Sequence, residues 1–292
     1  MADPLLVEAA PAKINLALHV SGRRVDGYHN LESLVAFAAL GDELEARAAP
    51  ADTLTVTGPF AKALGNGEAN LVSRALAAFR ARWPGAVDGG LALTLHKNLP
   101  VAAGLGGGSA DAAAVLRLLA ELSSVPIDAR DLAALALELG ADVPACLLSR
   151  PCEIRGVGEI VTPLARFPAC HVVLVNPLIP VVTAEVFRKL VNRDNPGLPE
   201  IGDPLTRPAQ LGLWLTQTRN DLESTAIAMV PAIGELIAAL AAVDGCILAR
   251  MSGSGATVFG LFGSSARAHQ AAHDLRERFP GYWVAAAPLI SP

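Results

Sequence analysis

Aromatic residues are scarce: Phe, Tyr and Trp make up 4% of the 292 residues, and the formal charge is −5. A non-specific nucleic-acid binder needs a basic face and stacking rings, so that class is excluded. Cysteine is scarcer still. Cys146, Cys152, Cys170 and Cys246 contain no Cys-x-x-Cys pair, which excludes a zinc ribbon or a redox dithiol. Of the six histidines, only His269 and His273 lie four apart. No acidic or cysteine partner motif accompanies them, so they read as a solvated helix face and no metal ligand is assigned. The segment Met1–Glu8 lacks the basic start and long apolar run of a signal peptide. One uncharged run, Phe167 to Thr183, approaches membrane-spanning length, but Pro168, Pro177 and Pro180 break it into a strand and a turn. The expectation is a soluble cytoplasmic protein, monomer or homodimer, with a small-molecule partner rather than a nucleic acid or a membrane.

What is present is alanine, leucine and glycine. Hydrophobic residues reach 52%, and the length suffices for two domains with a full core in each. The chain is organised around Asn98 to Val115, where four of the five residues from Gly104 to Gly108 are glycine. Leu91, Leu93 and Leu95 alternate with Ala92, Thr94 and His96 before it, the period of a strand. Ala110 to Leu122 is Ala- and Leu-rich after it, with Arg117 and Glu121 four apart on one helical face. Strand, glycine loop and helix start together form an anion site: glycine lets N–H groups turn inward, and the helix end adds unpaired donors and partial positive charge. A P-loop is excluded, because no lysine follows Gly108 until Lys189. The dinucleotide fingerprint is excluded because Ser109 stands where its last glycine should.

Elsewhere, Ala12, Ile14, Leu16 and Leu18 alternate with Lys13, Asn15 and Ala17, which predicts a strand with Lys13 and Asn15 on its second face. Taken alone, that lysine reads as solvated or edge-protecting. Asp26-Gly27 predicts a tight turn that delivers Tyr28 and His29. Strand pieces are expected at 31–40, 42–48 and 53–57, and a helix over 70–82 with Asn70 as its cap. Ser109 is placed to cap the helix after the glycine loop. Gly140 ends a helix begun near Asp131, and Asp142 is placed to cap the next one, two residues before Pro144. A strand over 172–175 and helices over 183–190, 209–218, 221–229, 232–243 and 265–279 follow. Strands at 246–250 and 258–262 flank the loop Met251–Thr257, and a strand over 283–287 closes the chain.

Pro100-x-x-x-Gly104-Leu105-Gly106, continued by two glycines and Ser109, resembles the phosphate motif of the GHMP kinases, the galacto-, homoserine, mevalonate and phosphomevalonate kinases. The opening Pro11-Ala12-Lys13-Ile14-Asn15-Leu16, the turn Arg24-x-Asp26-Gly27-Tyr28-His29, and Gly140-Ala141-Asp142-Val143-Pro144 are similar to motifs of the members that act on a cytidylated methylerythritol in the non-mevalonate isoprenoid route. Met251-Ser252-Gly253-Ser254-Gly255-Ala256-Thr257 resembles the third motif of the family. The resemblance implies an α+β fold of two domains with the active site in the cleft between them; Gly156-Val157-Gly158 and the shift to a β-branched run at 172–175 put the boundary near Arg155, which gives 1–155 and 156–292. It also implies ATP and Mg²⁺, with phosphorylation of the substrate 2-hydroxyl. It assigns catalysis to Lys13 and Asp142. Pro100, Val101, Ala102, Ala103, Gly104, Leu105, Gly106, Gly107, Gly108, Ser109 and Ala110 take the phosphates, and Asn70 lies near the adenine. Substrate contacts are implied for Asn15, Tyr28, His29, Lys97, Thr183 and Phe187. Phe187 is placed opposite the tyrosine, with a core position as the equal alternative. Ala110 departs from a double-serine form, so one hydroxyl contact is lost.

Overall fold

The structure, a computed structural model, describes residues 5–23, 29–64, 70–202 and 205–292. By contacts the chain divides into two compact units that are not consecutive in sequence. The first takes residues up to Ala12, Leu40–Val101 and Gly106–Ser149; the second takes Lys13–Ala39, Ala102–Leu105 and Arg150–Pro292. The expected boundary near Arg155 lies close to the Ser149–Arg150 transition, but 13–39 and 102–105 count with the second unit.

The cause is two long strands that pass from one unit into the other. Strand β1 runs Leu6–Arg23 and β2 runs His29–Ala49, where the sequence pattern predicts shorter pieces. Gly41-Asp42 reads as a break in the pattern, yet β2 continues through it. A Cβ at Gly41 would lie 2.1 Å from the Ala10 carbonyl oxygen, so glycine there admits the close approach of β1.

In the first unit, β3 (Thr53–Thr57) pairs in parallel with β4 (Gly90–His96), and β4 pairs antiparallel with the second half of β2, from Glu43↔His96 to Ala49↔Gly90. Four helices complete it: α1 (Leu71–Arg82), α2 (Gly107–Leu122), α3 (Ala129–Leu139) and α4 (Val143–Leu148). Helix α2 is buried along Ala112, Ala113, Val115, Leu116 and Leu119 against α1 and α4, and its small residues allow close approach. Arg117 does not pair with Glu121 as the spacing suggests. Its guanidinium donates to Glu8 and to the carbonyls of Ala9 and Cys146, because tertiary acceptors outcompete a solvated i,i+4 partner.

In the second unit, the first half of β2 pairs antiparallel with β5 (Cys152–Gly156), which pairs with β6 (Ile160–Pro163). Neither short strand is marked by the sequence pattern. A four-stranded antiparallel sheet has the order β10-β7-β9-β8, with β7 at His171–Asn176, β8 at Cys246–Met251, β9 at Val258–Phe262 and β10 at Trp283–Pro288. Helices α5 (Thr183–Lys189), α6 (Pro208–Leu215), α7 (Glu223–Met229), α8 (Ala232–Ala241) and α9 (Ser265–Arg278) follow the expected order. Val173, Val175, Val258 and Phe262 from the sheet meet Ile233, Leu236 and Leu240 of α8 and Ala268, Ala272 and Leu275 of α9 in one core. His269 and His273 are exposed on α9. Among the described residues, no helix is long and apolar enough to cross a membrane.

From Ala10 to Val20, β1 is buried on both faces, so Lys13, Asn15 and His19 are interior groups and not the solvated face that alternation alone suggests. His19 accepts at Nε2 from the Arg219 N–H (3.0 Å), which leaves Nδ1 to donate to the Pro196 carbonyl (3.1 Å). That arrangement requires the neutral ring. Burial, and then the Arg219 guanidinium, lower its pKa from the ordinary 6.5. Below pH 6.5 the unfolded ring therefore binds a proton that the folded ring refuses, and stability must fall as pH drops from 6.5 towards the folded pKa. His19→Gln should flatten this part of the urea-unfolding profile between pH 7 and 5. An unchanged slope would place the titration elsewhere.

Candidate active site

The glycine loop is divided between the units at Leu105–Gly106, and each part is held by its own surroundings. In the second unit, Lys13 N–H donates to the Leu105 carbonyl (2.9 Å), Thr257 N–H to that of Ala103 (3.1 Å), and Ser252 Oγ to that of Gly104 (2.8 Å). A Cβ on Gly104 would lie 2.4 Å from the Ser252 carbonyl oxygen. The loop Met251–Thr257 thus packs directly on 103–105, and this is why glycine stands at 104. Positive φ occurs at alternate residues, Ala102 (53°), Gly104 (75°) and Gly106 (61°). Such alternation is a backbone pattern that can turn successive N–H groups to one side.

In the first unit, Gly106 is the N-cap of α2, with left-handed φ, so the N-cap residue offers no side chain to the first N–H groups of the helix. The expected cap, Ser109, is instead the third residue of the helix. The helix starts earlier than the Ala-rich run implies, because glycine at 107 and 108 is tolerated in a first turn that tertiary packing fixes. A Cβ on Gly108 would lie 3.4 Å from Leu71 Cδ1, which sets the start of α1 beside the start of α2. Asn70 caps α1: its Oδ1 accepts from Val72 N–H (2.9 Å).

Lys13 and Asn15 are 3% and 4% exposed on β1. Asn15 Nδ2 donates to Ser33 Oγ (2.8 Å), which donates on to the Ala17 carbonyl, and Asn15 N–H donates to Ser252 Oγ (3.1 Å). Cys152 lies near Lys13. Burial pushes its thiol up to about 12 against the pull of that cation, which leaves an inert thiol and no nucleophile. His29, at the start of β2, stacks on Phe187 of α5 with centroids 5.0 Å apart and planes at 26°. Phe187 also packs against the core of the second unit. Thr183, the first residue of α5, shares a 2.7 Å hydrogen bond with Ser254 of the Met251–Thr257 loop. Tyr28 and the Asp26-Gly27 turn lie outside the described residues.

Asp142 stands at the N-cap position of α4, but its carboxylate makes no capping hydrogen bond. Its backbone is helical there, φ −87° and ψ −15°, whereas a capping side chain needs an extended backbone to turn back over the helix. The capping role expected for Asp142 is therefore absent. Pro144 already removes one of the N–H groups that a cap would serve.

Lys97 is 2% exposed, and its ammonium donates to Asp42 Oδ2 (2.5 Å) and Asp111 Oδ2 (2.7 Å). Asp42, Asp111 and Ser33 receive no role from the sequence, and Ser252 is marked only as part of the third family motif. A charged residue on the alanine face of α2 at 111 was the signal available.

Residues 70–150 match the family model described as GHMP kinases N terminal domain, and residues 196–281 match GHMP kinases C terminal. A Cereibacter sphaeroides protein named 4-diphosphocytidyl-2-C-methyl-D-erythritol kinase is 51% identical over 282 residues, 96% of this chain and 98% of the relative. The chain belongs to the GHMP kinase family. A relative of the same name from Chelativorans sp. is 47% identical over 95% of this chain and 94% of its own. A crystal structure of 4-(cytidine 5'-diphospho)-2C-methyl-D-erythritol kinase superposes with TM-score 0.78 at 37% identity, covering 97% and 99% of the two chains. Methanococcus jannaschii mevalonate kinase, at 11% identity and TM-score 0.68, shares the fold. Membership of this kinase family brings ATP as the phosphoryl donor and makes the two-domain α+β architecture that of the GHMP kinases.

Proposed function

We propose that this chain is an ATP-dependent kinase that phosphorylates the 2-hydroxyl of 4-diphosphocytidyl-2-C-methyl-D-erythritol, a step of the non-mevalonate isoprenoid pathway. The observation that carries the reading is full-length identity near 50% to relatives bearing that name, on a chain that keeps the glycine loop of a phosphate site. In this reading the family's N-terminal and C-terminal domains correspond to 1–155 and 156–292, and the enzyme works in the cytoplasm.

Phosphoryl transfer needs alignment and charge neutralisation more than covalent help. Residues Pro100–Ala110 take the triphosphate through backbone N–H groups and the start of α2. Asn70 serves the adenine with its amide nitrogen, since its oxygen already caps α1. Asn15, His29, Thr183 and Phe187, with Tyr28, take the cytidylated substrate. Asp142 orients the hydroxyl and accepts its proton, and Lys13 stabilises the charge that develops. A carboxylate is a weak base toward an alcohol, so proton transfer runs late and orientation is the larger part of the role. The family also implies Mg²⁺, which takes oxygen ligands, few of them from protein, and keeps several waters. The Ser109 hydroxyl, in the first turn of α2, is an oxygen donor of the kind such an ion takes and would be its protein ligand. When bound, the ion neutralises phosphate charge.

The test is ATP consumption with the cytidylated substrate against mevalonate and homoserine; turnover of either of the latter alone would overturn the assignment. Specificity is read at Tyr28. Tyr28→Ala should weaken substrate binding by about 1–3 kcal/mol, the scale of one lost aromatic–base stack, and leave ATP binding unchanged. Equal losses for both ligands would mean that Tyr28 supports the fold instead.

A further inference from the structure

Lys97, Asp42 and Asp111 form a closed ionic cluster beneath the start of the glycine loop, with side chains 2%, 0% and 3% exposed. Each comes from a different element: Asp42 from β2, Lys97 from just past the end of β4, and Asp111 from the first turns of α2. Asp42 does more than accept from the ammonium. Its Oδ1 accepts from the N–H groups of Asn98 (2.6 Å) and Leu99 (2.8 Å), the residues that lead into the loop. At the other end of the loop, a Cβ on Gly107 would come within 3.1 Å of Lys97 Nζ. The ammonium therefore bridges the entry of the phosphate loop and the helix that leaves it.

We infer that Lys97 is a positioning residue: it fixes the first turn of α2 to the loop entry through Asp42 and Asp111, and so sets the N–H groups that take the nucleotide phosphates. This rests on the kinase reading above and departs from the substrate contact that the resemblance assigns to Lys97. Two of the three ammonium protons already go to carboxylates, and the side chain is almost wholly covered. Two full carboxylates against one ammonium would leave a buried negative charge behind an anion site. Burial pushes the Asp111 carboxyl up to about 7, against the pull of the Lys97 ammonium, which eases that charge. Asp111 Oδ1 is buried without a hydrogen-bond partner, so that oxygen carries no further tie. A loop held in its binding geometry before the ligand arrives loses less freedom on binding, and this gain falls on the nucleotide alone.

The experiment uses the full chain with Lys97→Met and Asp42→Asn. ADP binding is measured by calorimetry, KM is measured for ATP and for the cytidylated substrate, and folding is checked by melting. Asp42→Asn can keep an oxygen on the Asn98 and Leu99 N–H groups while turning an N–H₂ toward the ammonium, so it cuts the bridge and spares the loop entry if Lys97→Met does not fold. Lys97→Met and Asp42→Asn should each raise the ADP Kd and the ATP KM by roughly 10–100-fold, with the acceptor KM within twofold. If Lys97→Met instead raises the acceptor KM while Asp42→Asn leaves ADP binding unchanged, Lys97 touches substrate directly and the inference fails. ADP calorimetry needs no acceptor, so a wrong acceptor assignment would show separately, as parent enzyme that binds ADP but does not turn over.

Discussion

Asp142→Asn should leave folding and both binding constants nearly intact while turnover falls by roughly two to four orders of magnitude, the range for losing a general base. The structure sharpens this expectation. Had Asp142 capped α4, asparagine would serve almost as well and the variant would be silent. No such cap exists, so the substitution costs no cap. What asparagine cannot do is accept a proton. Lys13→Met, nearly the same shape at a position 3% exposed, should lose a comparable amount of turnover. The double variant should lose far less than the product of the two single losses if both residues act on one hydroxyl. Steady-state rates at saturating ATP and acceptor, with melting curves for each variant, are the measurement. Near-normal turnover in Asp142→Asn would leave the chain without an identified base.

The parts of the molecule that were legible in the sequence are those whose cause is local. Glycines at 104 and 106–108 between a period-two stretch and an Ala-rich stretch mark a strand, a loop and a helix start without knowledge of any partner, and β4 and α2 stand where that order puts them. The strands at 53–57 and 258–262 match their expected bounds because turn residues flank them directly. What stayed hidden depends on distant neighbours. Lys13 and Asn15 look like a wet face because alternation cannot tell a solvated side from a polar interior one; Ser33 and Ser252 make it interior. The break at Gly41-Asp42 is local only in appearance, since its glycine answers to Ala10 and its aspartate to Lys97, 55 residues away. The boundary expected near 155 is a single cut in sequence, whereas the contacts that group 13–39 and 102–105 with the second unit join residues far apart in the chain. Tyr28, which carries much of the proposed specificity, lies outside the described residues, so its role rests on the motif alone.

Gly104→Val should lower ATP affinity by roughly a hundredfold or more, whereas Gly107→Ala should be mild, although both alter the same glycine run. At 104 the backbone has φ 75°, where a β-branched residue is an outlier and any L side chain costs about 1–2 kcal/mol. The added carbon would also lie 2.4 Å from the Ser252 carbonyl and 2.9 Å from that of Gly255. Those are backbone atoms, so the loop itself must move, and overpacking of this kind typically costs about 1–3 kcal/mol more. Displacing 103–105 breaks the alternation at 102, 104 and 106 that aims the N–H groups, and a loss of about 2.7 kcal/mol is a hundredfold in Kd. At 107 the backbone is helical, so alanine meets no left-handed strain, and the nearest atom is Lys97 Nζ at 3.1 Å, a gap that opens with a shift of a few tenths of an ångström. Calorimetric titration of ATP into each folded variant reads the contrast. Strong binding by a folded Gly104→Val protein would mean that the phosphates do not rest on this loop.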